Sequence, residues 1–148
     1  MQRFCDQEYP QQARGDAETE EQRQRRWAGL AHMGLLGLTL SAESGGSEQG
    51  PVEVMVVAQE LGRALANGAW LASTVMAGSL LSRLASTDHH RQWLSDLASG
   101  ALQASVALDE PGTRYDWRQM QTRWTHSASG NSGGVLDGHK SMVLQGDS

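Results

Sequence analysis

From Glu18 to Leu40 the apolar positions Trp27, Leu30, Ala31, Gly34, Leu35 and Leu38 recur at three- and four-residue steps, the period of one helix face. The spacing predicts a helix that ends in the glycine-bearing stretch Met33 to Leu38. Ser41-Ala42-Glu43-Ser44-Gly45-Gly46-Ser47 then reads as a loop. Pro51 suits the first turn of a second helix, and Glu53 complements its positive end. Val54, Val57, Ala58, Leu61 and Leu65 form the apolar stripe of that helix, and Asn67-Gly68 closes it. A third helix is expected from Ala69 to about Ala85, packed antiparallel on the second. Ser86-Thr87-Asp88 offers cap oxygens for a fourth, with Trp93, Leu94 and Leu97 on one face and Gly100 as its stop.

Beyond Gly100 the period changes from near 3.6 to near 2. Leu102, Ala104, Val106 and Leu108 alternate with Gln103, Ser105 and Ala107, and Met120, Thr122 and Trp124 resume the alternation after the Glu110-Pro111-Gly112 turn. Gly130 to Gly134 is a turn cluster. Asp137-Gly138, between Val135-Leu136 and Met142-Val143-Leu144, signals a tight hairpin. The expected fold class is α+β, in three parts: a polar leader over 1–17, a helical domain over 18–100, and over 101–148 the first strands of a β-domain, too few to close it.

Composition narrows the function classes. The 148 residues carry a formal net charge of -5, which disfavours nucleic acid and anionic membrane surfaces as partners. Cys5 is the single cysteine and sits in the polar leader, so it reads as an incidental thiol with no disulfide partner in the chain, in keeping with a cytoplasmic location. Met1 to Arg26 lacks the apolar run of a secretory signal. Ala64 to Leu81 has no charged residue, but Asn67, Ser73, Thr74, Ser79 and its alanines favour a buried helix over a membrane span.

Candidate chemistry is sparse. His89-His90 point about 100° apart on a helix and cannot easily share one ion. His32, His126 and His139 are scattered among different elements. The glycine cluster at 130–134 lacks the lysine and receiving helix of a phosphate loop. Glu110, near Asp109 and Asp116, reads as a turn carboxylate bonded to backbone amides rather than as an acid/base group. The five tryptophans have no interleaved basic residues to serve nucleic-acid bases. These patterns alone describe helices joined to strands, without a reaction.

A family resemblance adds one. Trp27 through Leu38 followed by Glu43-Ser44-Gly45-Gly46 resembles the first helix and Gly-Gly loop of acyl-CoA dehydrogenases, and Glu60-Leu61-Gly62-Arg63 resembles their next helix. Trp93-Leu94 through Gly100, then Ala107-Leu108-Asp109-Glu110-Pro111, resembles the passage into the flavin-binding β-domain. Leu136 through Leu144 completes the series, in the family's order, from about Arg23 to the end. Glu110 to Asp116 together with Val143 to Asp147 looks most like the small subunit of pimeloyl-CoA dehydrogenase and related two-gene partners.

The resemblance implies FAD as cofactor, an acyl-CoA substrate, a homo- or hetero-oligomer and an electron-transfer acceptor. It implies that Val106, Leu108 and Asp109 approach the flavin ring, with Met142 and Leu144 on the adjoining strand. The family commonly has Thr or Ser at the place of Asp109, and Trp and Thr at those of Met142 and Leu144. Arg114 and Tyr115 stand where many members have Gly-Ser, and are expected to meet substrate phosphates or an acyl carboxylate. In the family reaction a Glu of the carboxy-terminal domain removes the α-proton while the β-hydrogen leaves as hydride to the flavin. No acidic residue of this chain matches that Glu, so no catalytic residue is assigned and the chain alone is expected to be inactive. The competing expectations are a noncatalytic subunit completing a partner's flavin site, and a small helical interaction protein.

Overall fold

A computed structural model describes residues 1–10, 18–126 and 133–146. The elements among them run in chain order as α1 (Gln2–Glu8), α2 (Glu20–His32), α3 (Pro51–Arg63), a π-helical stretch (Trp70–Ala77) continuing as α4 (Gly78–Leu84), α5 (Asp88–Ser99), β1 (Arg123–His126) and β2 (Gly134–Asp137).

The helix ends follow local chemistry. Thr19 caps α2 through its hydroxyl, which accepts from the Gln22 amide, while the Gln22 side chain accepts from the Thr19 amide, a reciprocal box that satisfies two otherwise orphan donors. The next two boundaries fall where expected, with Pro51 in the first turn of α3 and the Glu53 carboxylate accepting from the Gly50 amide. Thr87 caps α5, and Gly100 ends it in the left-handed conformation at φ 83°. A side chain at Gly100 would also press on Leu36, Ala31 and Trp27. The Trp27 indole donates to the Gly100 carbonyl at 2.9 Å, tying the end of α5 to α2.

Between α2 and α3 the chain folds back on itself. Ser47, Glu48 and Gln49 amides donate to the carbonyls of Gly37, Leu40 and Leu38 at 2.8–3.1 Å, and the Gly46 amide donates to Ser41. This expected loop also contains a 3-10 turn over Ala42–Ser44. It carries Leu36, Leu38 and Leu40 into the interior, where each is buried.

The core has two parts. Cys5, Leu30, Leu36, Leu38, Val57, Leu61, Ala64 and Trp70 form one, and Leu40, Leu94, Leu97 and Ala98 form the other, with Leu81, Leu102 and Ala104 against it. Full burial of one such leucine stabilises by about 1.5–3 kcal/mol.

Several expectations are corrected here. Cys5, though it stands in a polar stretch of sequence, is fully buried on α1, and burial raises its pKa. α1 was not foreseen. It lies against α3, held at its rim by Arg63–Asp6 at 2.9 Å and against α2 by Arg25–Glu8 at 2.8 Å. α3 therefore takes α1 as its close neighbour, and α4 pairs with α5; the antiparallel pairing of the second and third helices is not the main packing. Of the predicted α3 stripe, Val57 and Leu61 are buried, whereas Ala58 is exposed and Leu65, at φ 53°, is turned out beyond the helix end. The third helix begins as a π-helix, in which the Gly78 amide reaches back five residues to Ser73.

After α5 the expected alternation is visible in burial as far as Ala107: Leu102, Ala104 and Val106 are half-buried and Gln103, Ser105 and Ala107 are exposed, but Leu108, expected on the buried side, is exposed. The Ala104 amide donates to the buried Ser73 hydroxyl at 3.2 Å, docking this segment on the π-helix. It carries no strand ladder. β1 and β2 pair antiparallel, with Trp124 opposite Leu136 and Thr125 opposite Val135. The hairpin predicted around Asp137-Gly138 is thus replaced: Val135-Leu136 pair back to β1, and Met142-Val143-Leu144 are not a strand. Met142 adopts φ 53°, a left-handed conformation that breaks the pleat. The expected turn at 130–132 lies outside the described residues, as do 11–17 of the leader and Asp147.

Candidate functional site

Ser105 to Glu110 and Lys140 to Gln145 run side by side. The Ser105 hydroxyl donates to the Gln145 carbonyl at 3.0 Å, and the Ser141 amide donates to the Asp109 carbonyl at 2.9 Å. These two rungs make the segments antiparallel in direction, and between them lie Val106 and Leu108 on one side and Met142 and Leu144 on the other. Four of the five residues singled out for a flavin thus share one small region, and Asp109 stands at its edge. Leu108, Met142 and Leu144 are 51%, 79% and 46% exposed, an apolar surface open to a ligand or to further protein.

Glu110 anchors this region. Its carboxylate is buried and accepts from the Gln121 amide at 2.6 Å, from the Thr122 amide at 3.0 Å, from the Thr122 hydroxyl and from Lys140 Nζ at 2.8 Å. The Gln121 amide, then Lys140, then the Thr122 hydroxyl hold its pKa down at about 2. A carboxylate so satisfied is a poor proton acceptor near neutrality, so Glu110 has the structural task expected of it. Lys140 also donates to the Leu108 carbonyl at 3.3 Å and meets the Met120 sulfur at 3.5 Å. Lys140 is not among the site residues that the sequence points to. The available signal was that it is the chain's single lysine, lying inside the stretch that resembles the family's later strand.

Arg114 and Tyr115 follow in the turn closed by Thr113, whose hydroxyl donates to the Glu110 carbonyl at 3.0 Å. Both adopt left-handed backbone, at φ 50° and 66°, and both are exposed. Such a conformation costs non-glycine residues about 1 kcal/mol each. No hydrogen bond or ion pair joins either side chain to the 105–110 and 140–145 segments among the described residues. Asp116 is occupied by the Arg118 amide and the Gln119 side chain, which leaves it no part in an acid/base pair.

Elsewhere, Tyr9, Leu30, Leu61, Trp70 and Leu71 help line an open cleft of about 180 Å³, smaller than the roughly 300–1,000 Å³ usual for ligand sites. None of the sequence-predicted site residues lines it. Among the described residues no cluster of histidine, cysteine and carboxylate groups could hold a metal, and no helix is long and apolar enough to cross a membrane.

Comparison with known proteins agrees with this architecture. Residues 1–101 match the family model described as the acyl-CoA dehydrogenase N-terminal domain. Acyl-CoA dehydrogenase FadE12 of Mycobacterium tuberculosis is 31% identical over 109 residues, covering 72% of this chain and 28% of its own length. The (2S)-methylsuccinyl-CoA dehydrogenase of Cereibacter sphaeroides is 33% identical over 95 residues, 64% of this chain and 17% of that protein. A solved structure of the Tcur3481-Tcur3483 steroid ACAD superposes with a TM-score of 0.76 at 26% identity, covering 96% of this chain and 39% of the other. The chain therefore spans less than a third of the curated relatives named here and two-fifths of the solved one. Helices joined through a docked segment to a short sheet are the amino-terminal architecture of that fold, and this chain belongs to the acyl-CoA dehydrogenase family.

Proposed function

We propose that residues 101–146 supply one wall of the flavin site of an acyl-CoA dehydrogenase whose helical part, α1 included, precedes residue 101, and that the complete assembly oxidises an acyl-CoA to the 2,3-enoyl-CoA. The observation that carries this is the adjacency of Val106, Leu108, Met142 and Leu144, bracketed by the Ser105–Gln145 and Ser141–Asp109 hydrogen bonds and left largely uncovered. An apolar face of this kind fits the hydrophobic part of a flavin ring. The Asp109 carboxylate oxygens accept hydrogen bonds, so they suit a ring N–H and not a ring carbonyl. FAD, when bound, would accept the substrate hydride; the residues here would hold and orient it. The base is proposed to lie in another part of the fold, which leaves the present chain inactive by itself.

Arg114 and Tyr115 fit a substrate-facing role. Their paired left-handed backbone is the kind of strain that persists where surroundings or function require it, and the guanidinium suits a phosphate or carboxylate of the substrate. The sequence resemblance of Glu110 to Asp116 with Val143 to Asp147 points to a type like the pimeloyl-CoA dehydrogenase small subunit, and with it to a heteromer in a cytoplasmic setting, an electron-transfer acceptor and dicarboxylic acyl chains. A noncatalytic role completing a partner's flavin site is the second reading, favoured by Asp109, Met142 and Leu144 where the family commonly has other residues.

The test is flavin retention by the longest product of this reading frame, purified with any co-expressed partner. Leu108→Asp and Leu144→Asp should each strip FAD from a protein that otherwise purifies yellow. Equal retention by the wild type and both variants would remove 106–108 and 142–144 from the flavin site.

A further inference from the structure

We propose that the Glu110–Lys140 ion pair is a positioning device that sets the two wall segments against one another, an inference that rests on the flavin reading above. The geometry separates it from an ordinary stabilising contact. Lys140 has three donors, and its three acceptors lie at Glu110, at the Leu108 carbonyl and at Met120, all flanking the wall. Ser141, next to Lys140, makes the rung to Asp109, and Met142 follows it. Glu110 in turn gathers Gln121 and Thr122, where the chain enters β1. One ion pair thus fixes residues 108–110, 120–122 and 140–142. None of these residues belongs to either hydrophobic cluster of the helical part.

Glu110 is well removed from water, at 5% side-chain exposure, and Lys140 is half-buried at 24%. Without Lys140 the Glu110 carboxylate keeps its Gln121 and Thr122 donors but loses its counter-charge, and without Glu110 the Lys140 ammonium loses its anionic partner, so either change removes the tie between the two segments. Loss of Lys140 would release the Leu108 carbonyl and the Ser141 rung together, and Leu108 and Met142 would lose their relative height. Arginine cannot substitute, because a planar fork does not reproduce three divergent donors.

The experiment uses the complete flavoprotein and the variants Lys140→Met, Glu110→Gln and Lys140→Arg, with Leu94→Ala as a control in the helical core. FAD affinity is measured by titration, with the visible flavin spectrum and hydrogen exchange at the Ser141 amide as further readouts. The expected result is an affinity at least tenfold weaker for Lys140→Met and Glu110→Gln. Both should show faster exchange at Ser141 and an unchanged unfolding midpoint of the helical part. Lys140→Arg, which keeps the charge and is the variant most certain to fold, should lose at least threefold. Leu94→Ala should lower the midpoint and leave affinity within twofold. Wild-type affinity, spectrum and exchange in Lys140→Arg and Glu110→Gln would overturn the positioning role while leaving the flavin reading intact. A wild type that binds no FAD would overturn both.

Discussion

Replacing Gly46 with alanine puts a methyl group where the backbone of the folded-back loop already stands. An added Cβ would lie 2.1 Å from the Leu40 carbonyl oxygen, 2.4 Å from the Leu40 carbonyl carbon and 2.6 Å from the Gly37 oxygen. All three are main-chain atoms, so no side chain can swing aside. The loop must open, and with it go the Gly46–Ser41, Ser47–Gly37 and Glu48–Leu40 hydrogen bonds. At about 0.5–1.5 kcal/mol net each, and with part of the Leu40 burial lost as well, the destabilisation is about 3 kcal/mol. Gly62 is the internal control. It lies inside α3 with nothing within 4 Å of an added Cβ, so Gly62→Ala should stabilise by about 0.4–1 kcal/mol. Urea unfolding followed by tryptophan fluorescence and far-ultraviolet circular dichroism reads both. For m near about 1–3 kcal/mol/M, Gly46→Ala should lower the midpoint by about 1–3 M, and Gly62→Ala should raise it. A Gly46→Ala midpoint within error of wild type would refute the close approach of residues 37, 40 and 46.

Other expectations concern charge and domain limits. Because the folded pKa of Glu110 is depressed from 4.5 to about 2, the stability it supplies is complete above pH 4.5 and disappears as pH falls toward 2. The advantage of wild type over Glu110→Gln in the urea midpoint of the 101–146 part, which carries all of the Glu110 contacts, should shrink across that window, and a constant difference from pH 7 to pH 2.5 would contradict it. Tyr9 has the opposite sign: burial pushes its pKa up from 10 to about 12, with Arg26 stacked 4.2 Å from the ring centre opposing the shift. Stability should therefore fall as pH rises from 10 to 12, and Tyr9→Phe should abolish the late phase of an ultraviolet titration; a titration unaltered by that substitution would count against the burial. Limited proteolysis of the 148-residue chain should leave a resistant product ending near Gly100, whereas protection through Gly146 in a monomer would unite the two parts.

The start of α3 and both ends of α5 were legible because their signals are local, whereas α3 stops at Arg63, short of the expected Asn67-Gly68. Thr87 and Gly100 act within one turn of themselves, and Pro51 at a helix start depends on little else. The alternation of 102–106 was legible for the same reason, since Leu102 and Ala104 meet the core that Leu94 and Leu97 leave open. α1 was not, because seven residues carry too few turns for a period and its placement depends on contacts with α2 and α3 seventeen or more residues away. Composition cannot separate a π-helix from an α-helix, so Trp70–Ala77 was read as ordinary. Asp137-Gly138 has the residues of a tight turn, yet the partner of Val135-Leu136 was decided by β1, and Met142 left the pleat to follow Asp109. At the site, family resemblance singled out Val106, Leu108, Met142 and Leu144, and their adjacency needed coordinates. The thirty residues separating Glu110 from Lys140 hid the pair that holds them.

The central claim is best tested by one spectroscopic titration. The longest product of the reading frame, with any partner that purifies with it, is mixed anaerobically with a panel of acyl-CoA thioesters that includes dicarboxylic ones, and the visible band of bound flavin is followed. Bleaching by at least one thioester, with formation of its 2,3-enoyl product, is the predicted result. A protein that folds as described yet carries no flavin, or holds flavin that no acyl-CoA reduces, would contradict it.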